Sequence, residues 1–237
     1  MNKLIIDNRM RKIEKNKLKE LGYELIEINS NKILYTEISS HVDIFCTKIK
    51  NNFIVEDSQY NLIKENINKK IKVIKGTTKI GKKYPEDIKY NVCIVGNYAI
   101  HNFNYTDRKV YEILKKENYN IINVKQGYSK CSIAVIDENS IITADEGIYK
   151  KLKQHGLDIL FVDYKLNIKL LNEKGYSDMK GFIGGAISRI GSNIFISGDI
   201  EKIDNNNIIK KFIQKKGLEV VSFNNLEVID YGGIIEI

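Results

Sequence analysis

SSHVDIFCTKIKNNFIVED, residues Ser39 to Asp57, decides the fold, because three later segments of the chain restate its design. Ile44, Cys46, Lys48 and Phe45, Thr47, Ile49 alternate as on a half-buried strand, Lys50-Asn51-Asn52 supplies turn chemistry, and Phe53-Ile54-Val55 returns as a short apolar strand. The segment reads as a β-hairpin with His41 and Asp43 at its entrance. On an extended strand residues two apart share a side, so the imidazole and the carboxylate are expected to face the same way.

Asp43–Asp57 (DIFCTKIKNNFIVED), Cys131–Asp145 (CSIAVIDENSIITAD) and Gly185–Asp199 (GAISRIGSNIFISGD) share one length, one strand-turn-strand pattern and one closing aspartate. A weaker copy, Lys89–Asn102, closes on Asn. Each is followed by a segment with apolar residues at helical spacing, such as Val110, Ile113, Leu114 or Ile208, Ile209, Phe212, Ile213, and then by another strand. Gly156, Gly217 and Asn118 fall where a left-handed C-terminal cap is wanted; Lys70 stands there in the copy after Asp57. Asp7, Asp57, Asn102, Asp145 and Asp199 recur so regularly that they read as helix N-caps.

At the N-terminus Asn2–Asp7 matches a second hairpin strand, RMRKIEKNKLKELG a helix and YELIEI a final strand, whereas the chain ends on YGGIIEI, a first strand with nothing after it. Pairing Gly233–Ile237 beside Leu4–Asp7 would complete a fifth unit and close a ring. The expectation is a single α/β domain over 1–237, with ββαβ units at 232–237 plus 1–30, 39–76, 87–125, 129–165 and 183–224.

The 237 residues are 43% hydrophobic, enough for a sizeable core. No apolar run approaches the roughly 20 residues that span a bilayer, and MNKLIIDNRMRK lacks the apolar stretch of a signal peptide, so a cytoplasmic location is expected. Cys46, Cys93 and Cys131 form no CxxC pair and suit reduced thiols. The net charge of +8 comes with four arginines and with lysines spread along the chain, a pattern that argues against a nucleic-acid partner. His101 and His155 have no partner at metal-ligand spacing. The glycines of Gly181-Phe182-Ile183-Gly184-Gly185 form no phosphate loop, for the Lys-Ser/Thr of such a loop is missing.

Five ββαβ units joined through the chain ends resemble the pentein, or α/β-propeller, fold of arginine deiminase, dimethylarginine dimethylaminohydrolase and amidinotransferase, and of translation initiation factor six. HVDIFCTKIKNNFIV is similar to the His-x-Asp signature of the deiminases, and QGYSKCS, GFIGGA and VIDYGG resemble an uncharacterised guanidine-modifying-enzyme-like family. The resemblance implies a central polar cavity and a cysteine-dependent hydrolase or amidinotransferase acting on a guanidine-bearing small molecule. It implies a covalent thiouronium intermediate and no metal or organic cofactor.

Carried over, the resemblance makes His41 the general acid/base, Asp43 a guanidinium-binding carboxylate and Cys131 the nucleophile. Cys131 begins its hairpin as Asp43 does, and Lys130 beside it is expected to lower its pKa. For the second acidic residue Asp230 is the first choice, with Glu37 and Asp178 as alternatives, and Tyr128, Lys130, Ser132, Gly184 and Gly185 are the further substrate-binding candidates. One departure stands out: in the enzymes the nucleophilic Cys lies near the C-terminus, one unit after the His, whereas an entire unit separates His41 from Cys131.

Plainer readings stand beside these. His41 can satisfy a loop carbonyl, Cys131 can be an inert small hydrophobe, and the glycines can serve tight turning. A non-catalytic pentein that binds a protein, a ribosome or a small ligand is the competing class, and a homo-oligomer is compatible with the sequence.

Overall fold

The computed structural model describes residues 2–67, 70–163 and 165–237; positions 1, 68, 69 and 164 of the expected repeat units lie outside these. The chain is mixed α/β. Among the described residues there are five three-stranded sheets and one two-stranded ribbon. Four of the three-stranded sheets each come from one continuous segment. In chain order they are Cys46–Ile49, Asn52–Val55 and Lys72–Lys75; Cys93–Val95, Tyr98–His101 and Asn120–Asn123; Ile133–Val135, Ser140–Thr143 and Asp158–Phe161; Ile187–Ile190, Asn193–Ile196 and Glu219–Val221. In every one the first strand runs antiparallel to the middle strand and the third runs parallel to it.

The remaining three-stranded sheet joins the two ends of the chain. Lys3–Asp7 lies parallel to Glu24–Ile28 and antiparallel to Ile235–Glu236, with Leu4 opposite Glu236 and Ile5 opposite Ile235. Lys3 and Ile237 exchange backbone hydrogen bonds of 3.1 and 2.9 Å. The expected pairing of the terminal strands is therefore present.

A helix links the middle and third strands of each sheet: Lys12–Glu20, Asp57–Asn66, Arg108–Lys116, Glu146–Leu152 and Ile208–Lys215. A parallel pair needs such a crossover, and it covers one face of the sheet. The middle strands are consequently buried on both faces, and Leu4-Ile5-Ile6, Phe53-Ile54-Val55 and Ile194-Phe195-Ile196 are all 0% exposed. Gly156, Gly217 and Asn118 adopt the left-handed conformation expected of them, at φ 74°, 71° and 59°.

Two expectations fail locally. The hairpins do not begin as strands. Val42–Phe45, Ser129–Ser132 and Ile183–Ala186 are single helical turns, and the strands start at Cys46, Ile133 and Ile187. His41 and Asp43 are thus not alternate residues of a strand. The N-caps also differ from the regular aspartates. Asp145 does accept the Ile148 amide, but Glu56 rather than Asp57 caps its helix, and Asp107 rather than Asn102 caps Arg108–Lys116. Asp199 caps the short turn Ile200–Lys202, while Asp204 accepts the Ile209 and Lys210 amides of the last helix. Asp7 turns away from its helix altogether, because Arg9 pairs with it.

The ribbon Lys169–Asn172 with Gly175–Lys180 lies outside the repeat. It is pinned to the 36–38 turn by Ser177, whose hydroxyl donates to Glu37, and by Arg9, which donates to the Leu171 carbonyl.

Candidate functional site

The helical turns that precede the hairpins meet the segment before the last strand, and the polar side chains of the site project from them. Asp43 donates its backbone N–H to Gly232, and Tyr231 and Gly233 donate theirs to Gly185. These bonds lay residues 230–233 between the Asp43 turn and the Gly185 turn. Glycine is required here. At Gly232, φ +71°, a Cβ would come within 2.5 Å of the His41 Cβ and 2.8 Å of an Asp43 carboxyl oxygen, and at Gly185 a Cβ would overlap the Asp230 carboxyl group.

The result is a closely packed polar cluster. His41 and Asp43 are each 1% exposed, Asn91 0%, Cys131 3% and Asp230 2%. The Cys131 thiol donates to Asp43 Oδ2 at 2.8 Å. His41 Nδ1 stands 3.8 Å from Asp230 Oδ1, and Nε2 stands 4.0 Å from Asp7 Oδ2. Among the described residues neither ring nitrogen has a partner within hydrogen-bond length, nor has Asp43 Oδ1. Asp230 is fixed by two amides at 2.8 Å each, that of Gly232 on the oxygen that faces His41 and that of Phe182 on the other.

Electrostatics follow from burial. Burial raises the Asp43 carboxyl to about 7, and nearby Asp230 pushes it the same way. Burial also pushes the Cys131 thiol well up, with Asp43 and Asp230 adding to the rise. His41 is pushed down by burial, against the opposing pull of Asp230 and Asp7, so its imidazole is neutral at neutral pH. Asp7 is the exception. Burial alone would raise it, but Arg9 grips it through Nε at 3.0 Å and Nη2 at 2.6 Å and holds it below the usual carboxylate range.

His41, Asp43, Cys131 and Asp230 are thus brought together. The expected lowering of the Cys131 pKa by Lys130 does not occur, because burial and two acidic neighbours outweigh a lysine that bears mainly on Asp43 and Cys93. Three of the expected substrate-binding residues line cavities of their own. Tyr128 lines a cavity of about 680 Å³ with Tyr84, Lys125 and Lys151, Ser132 one of about 290 Å³ with Phe182, and Lys130 one of about 180 Å³ with Cys46. None of these three is lined by His41, Asp43, Cys131 or Asp230.

The Tyr128 hydroxyl donates to Asp87 at 2.6 Å and its ring stacks on Phe182. The buried hydroxyl of Ser132 has no partner among the described residues. Gly184 lets the turn that carries it press on the carbonyls of Lys130 and Ile133. Glu37 and Asp178 lie elsewhere: Glu37 accepts from Ser177 and Thr36, and Asp178 is exposed.

Sequence reasoning missed Asn91 and gave Asp7 to a helix. Asn91 stands two residues ahead of its strand, as Cys131 does ahead of its own. That shared position is the signal that would have found it. For Asp7 the signal is Arg9, two residues on, at turn spacing.

The sequence profile of a family of unknown function, DUF6873, matches residues 5–235. No curated protein matches the chain by sequence. Among solved structures, a dimethylarginine dimethylaminohydrolase from Pseudomonas aeruginosa in complex with citrulline aligns over 95% of this chain and 91% of its own, at 12% identity and a TM-score of 0.56. Agmatine deiminase of C. jejuni aligns over 93% and 74%, at 14% identity and a TM-score of 0.53. An amidinotransferase of saxitoxin biosynthesis from Microseira wollei aligns over 94% and 78%, at 11% identity and a TM-score of 0.56. These neighbours are pentein guanidine-modifying enzymes, and at such identities the likeness is one of fold. Among the described residues no helix is long and apolar enough to cross a membrane.

Proposed function

The chain belongs to the DUF6873 family of unknown function, and from the site it carries we propose that it is a cysteine-dependent enzyme acting on a guanidine-bearing small molecule, as a hydrolase or an amidinotransferase. The observation that supports this most is the contact of a thiol with a carboxyl group, Cys131 to Asp43 at 2.8 Å, beside a second carboxyl group and an imidazole 3.8 Å apart. A guanidinium carbon is a poor electrophile, so its attack calls for a thiolate, for acidic groups to hold the cation, and for a proton carrier.

In this reading the substrate cation enters between Asp43 and Asp230, and Asp43 releases its proton to bulk water as it pairs with the cation. The same positive charge lowers the Cys131 thiol, and neutral His41 takes the thiol proton. Sulfur adds to the guanidinium carbon, and the C–N bond to the departing amine breaks as His41 returns the proton to that nitrogen. Water, or the amine of an acceptor, then attacks the thiouronium carbon with loss of its own proton to His41, and the C–S bond breaks to restore the thiol. Tyr128, Lys130, Ser132, Gly184 and Gly185 form the walls on which the rest of the substrate rests, and the buried cluster opens at these turns to admit it. We further infer that the five sheets form a five-bladed α/β propeller in one domain over 1–237, a reading supported by the pairing of the terminal strands.

The test is a screen of arginine, agmatine and methylarginines for ureido products and released ammonia or amine, with Cys131→Ser as control. Turnover by the native protein and none by the variant is expected; no turnover of any guanidine compound overturns the reading. One observation favours a second, non-catalytic binding role: Cys131 is 3% exposed and its thiol is pushed up. Binding of a guanidine compound without turnover would establish that role.

A further inference from the structure

Asn91 makes four hydrogen bonds through its side chain, and they run to the Cys131 thiol, to the main-chain amides of the turn that carries it and to the main-chain carbonyl of Asp43. Its Nδ2 donates to Cys131 Sγ at 3.3 Å and to the Asp43 carbonyl at 3.2 Å, and its Oδ1 accepts the amides of Lys130 at 2.8 Å and Cys131 at 3.3 Å. The amide orientation is fixed by these partners. Reversed, the NH₂ group would face two backbone N–H donors and the oxygen would face a carbonyl, so the three bonds to main-chain groups would be lost. The side chain is wholly buried, where each lost bond counts most. Its main chain adds to the tie, for the Lys130 amide also reaches the Asn91 carbonyl at 3.2 Å.

We propose that Asn91 is a positioning residue of the site: its carboxamide holds the Cys131 turn against the Asp43 turn, so that sulfur and carboxyl group stay in register, and the proton it directs at the sulfur favours the thiolate. This deepens the proposed function and rests on Cys131 as its nucleophile. The groups that face the sulfur are Asp43 from its turn, Asp230 from the segment before the last strand, Tyr128 from the turn that carries the cysteine, and Asn91 itself. Two of these, Asp43 and Asp230, oppose ionisation, and Asn91 is the neighbour that lowers the thiol. An N–H bond to sulfur stabilises the charged form by the same rule that lowers a carboxylate held by amides.

The experiment titrates the thiolate by its ultraviolet absorbance in a chain where Cys46 and Cys93 are replaced by Ala, with the same chain carrying Cys131→Ser subtracted to remove the ionisation of the 14 tyrosines, so that the difference reports Cys131 and no reagent has to enter. Asn91→Leu removes the donor at similar volume, and Asn91→Asp keeps the oxygen that accepts the two amides while replacing the donor. Both variants are expected to move the midpoint up by at least about one pH unit, a roughly tenfold loss of thiolate at a fixed pH. A midpoint unmoved in both overturns the proposal. A merely structural role would lower the melting temperature and leave the midpoint in place.

Should both variants fail to fold, the native chain decides the matter. The Asn91 carboxamide proton signals in a nuclear magnetic resonance spectrum are expected to shift as Cys131 ionises, and signals that stay put overturn the proposal. Turnover is measured alongside. A shifted midpoint in a chain without turnover leaves Asn91 in place and removes the reading of function; turnover with an unshifted midpoint does the reverse.

Discussion

The turns Ser129–Ser132 and Ile183–Ala186 hold the same place, each a single helical turn directly ahead of a hairpin, and their contents are opposite. The first presents a thiol and a buried hydroxyl. The second presents two glycines and nothing reactive. A side chain at Gly185 would occupy the place of the Asp230 carboxyl group, and one at Gly184 would strike the Lys130 and Ile133 carbonyls of the first turn. The glycine turn is what allows an acidic group and a thiol turn to crowd into one buried cluster. In the proposed function the first turn carries the chemistry, and the second makes room for the cluster.

That division can be broken from either side. The largest expected effect lies on the reactive turn, where Cys131→Ser should lower guanidine turnover at least about a thousandfold. Its unfolding free energy should stay within about 1 kcal/mol of the native chain, since serine nearly matches the volume. Steady-state product assays and urea unfolding check the two halves, and undiminished turnover would remove Cys131 from the chemistry.

Next comes Asp43, the carboxyl partner of that thiol. It titrates near 7 in the folded chain, against 3.8 for the ordinary group. A carboxyl group that keeps its proton more tightly when folded stabilises the fold fully below pH of about 4, and this contribution is lost as the pH rises through about 7. The interval is worth on the order of 4 kcal/mol. Asp43→Asn should therefore flatten a decline in native stability between pH of about 4 and 7, seen by subtracting the two pH series. Parallel series would place the Asp43 pKa near its usual value. His101, away from the site, gives the opposite sign: burial pushes it down to about 4, so its contribution is present above about 6.5 and is lost as the pH falls.

On the glycine turn, Gly185→Ala should cost about 3 kcal/mol by overpacking against Asp230, read as a lower urea midpoint at unchanged slope. A native-like midpoint would show that the two turns tolerate separation. The smallest effect is expected at the rim. Tyr128→Phe removes the hydroxyl that donates to Asp87 and should cost about 1 kcal/mol, leaving the stacking on Phe182.

The two turns also show how far the sequence could be read. The repeat was legible because hairpins and helices imprint different periods on apolar residues, and the left-handed caps at Gly156, Gly217 and Asn118 because few residues accept that conformation. The union of the chain ends followed from a first strand that lacked partners. The entrance turns were not legible. In Val-Asp-Ile-Phe four residues close on one helical turn, too few to express a helical period, and their apolar content suits a strand equally. The N-caps slipped because any acceptor near the first amides will serve: Asp107 and Asp204 stand nearer their helices than the repeating residue, and Asp57 is itself the first helical residue, which leaves the cap to Glu56.

At the site, His41, Asp43, Cys131 and Asp230 were named from sequence and lie together. The rise of the thiol was not foreseen, because burial between two acidic groups belongs to the packing and not to the residue beside the cysteine. Asn91 escaped for a related reason. Its copy of the repeat is the weakest, and a carboxamide announces its role only through the partners that folding brings to it.

The central claim, a thiol set to attack the carbon of a guanidinium held between acidic groups, is tested most directly by alkylating the native protein at neutral pH. Two small chloroalkyl reagents are compared, one a neutral amide and one bearing a cationic amidine, with peptide mass mapping of all three cysteines. The amidine reagent is expected to modify Cys131 at least about tenfold faster than the amide does, and guanidine compounds are expected to slow it. Equal rates for the two reagents, or labelling spread evenly over Cys46, Cys93 and Cys131, would contradict the claim.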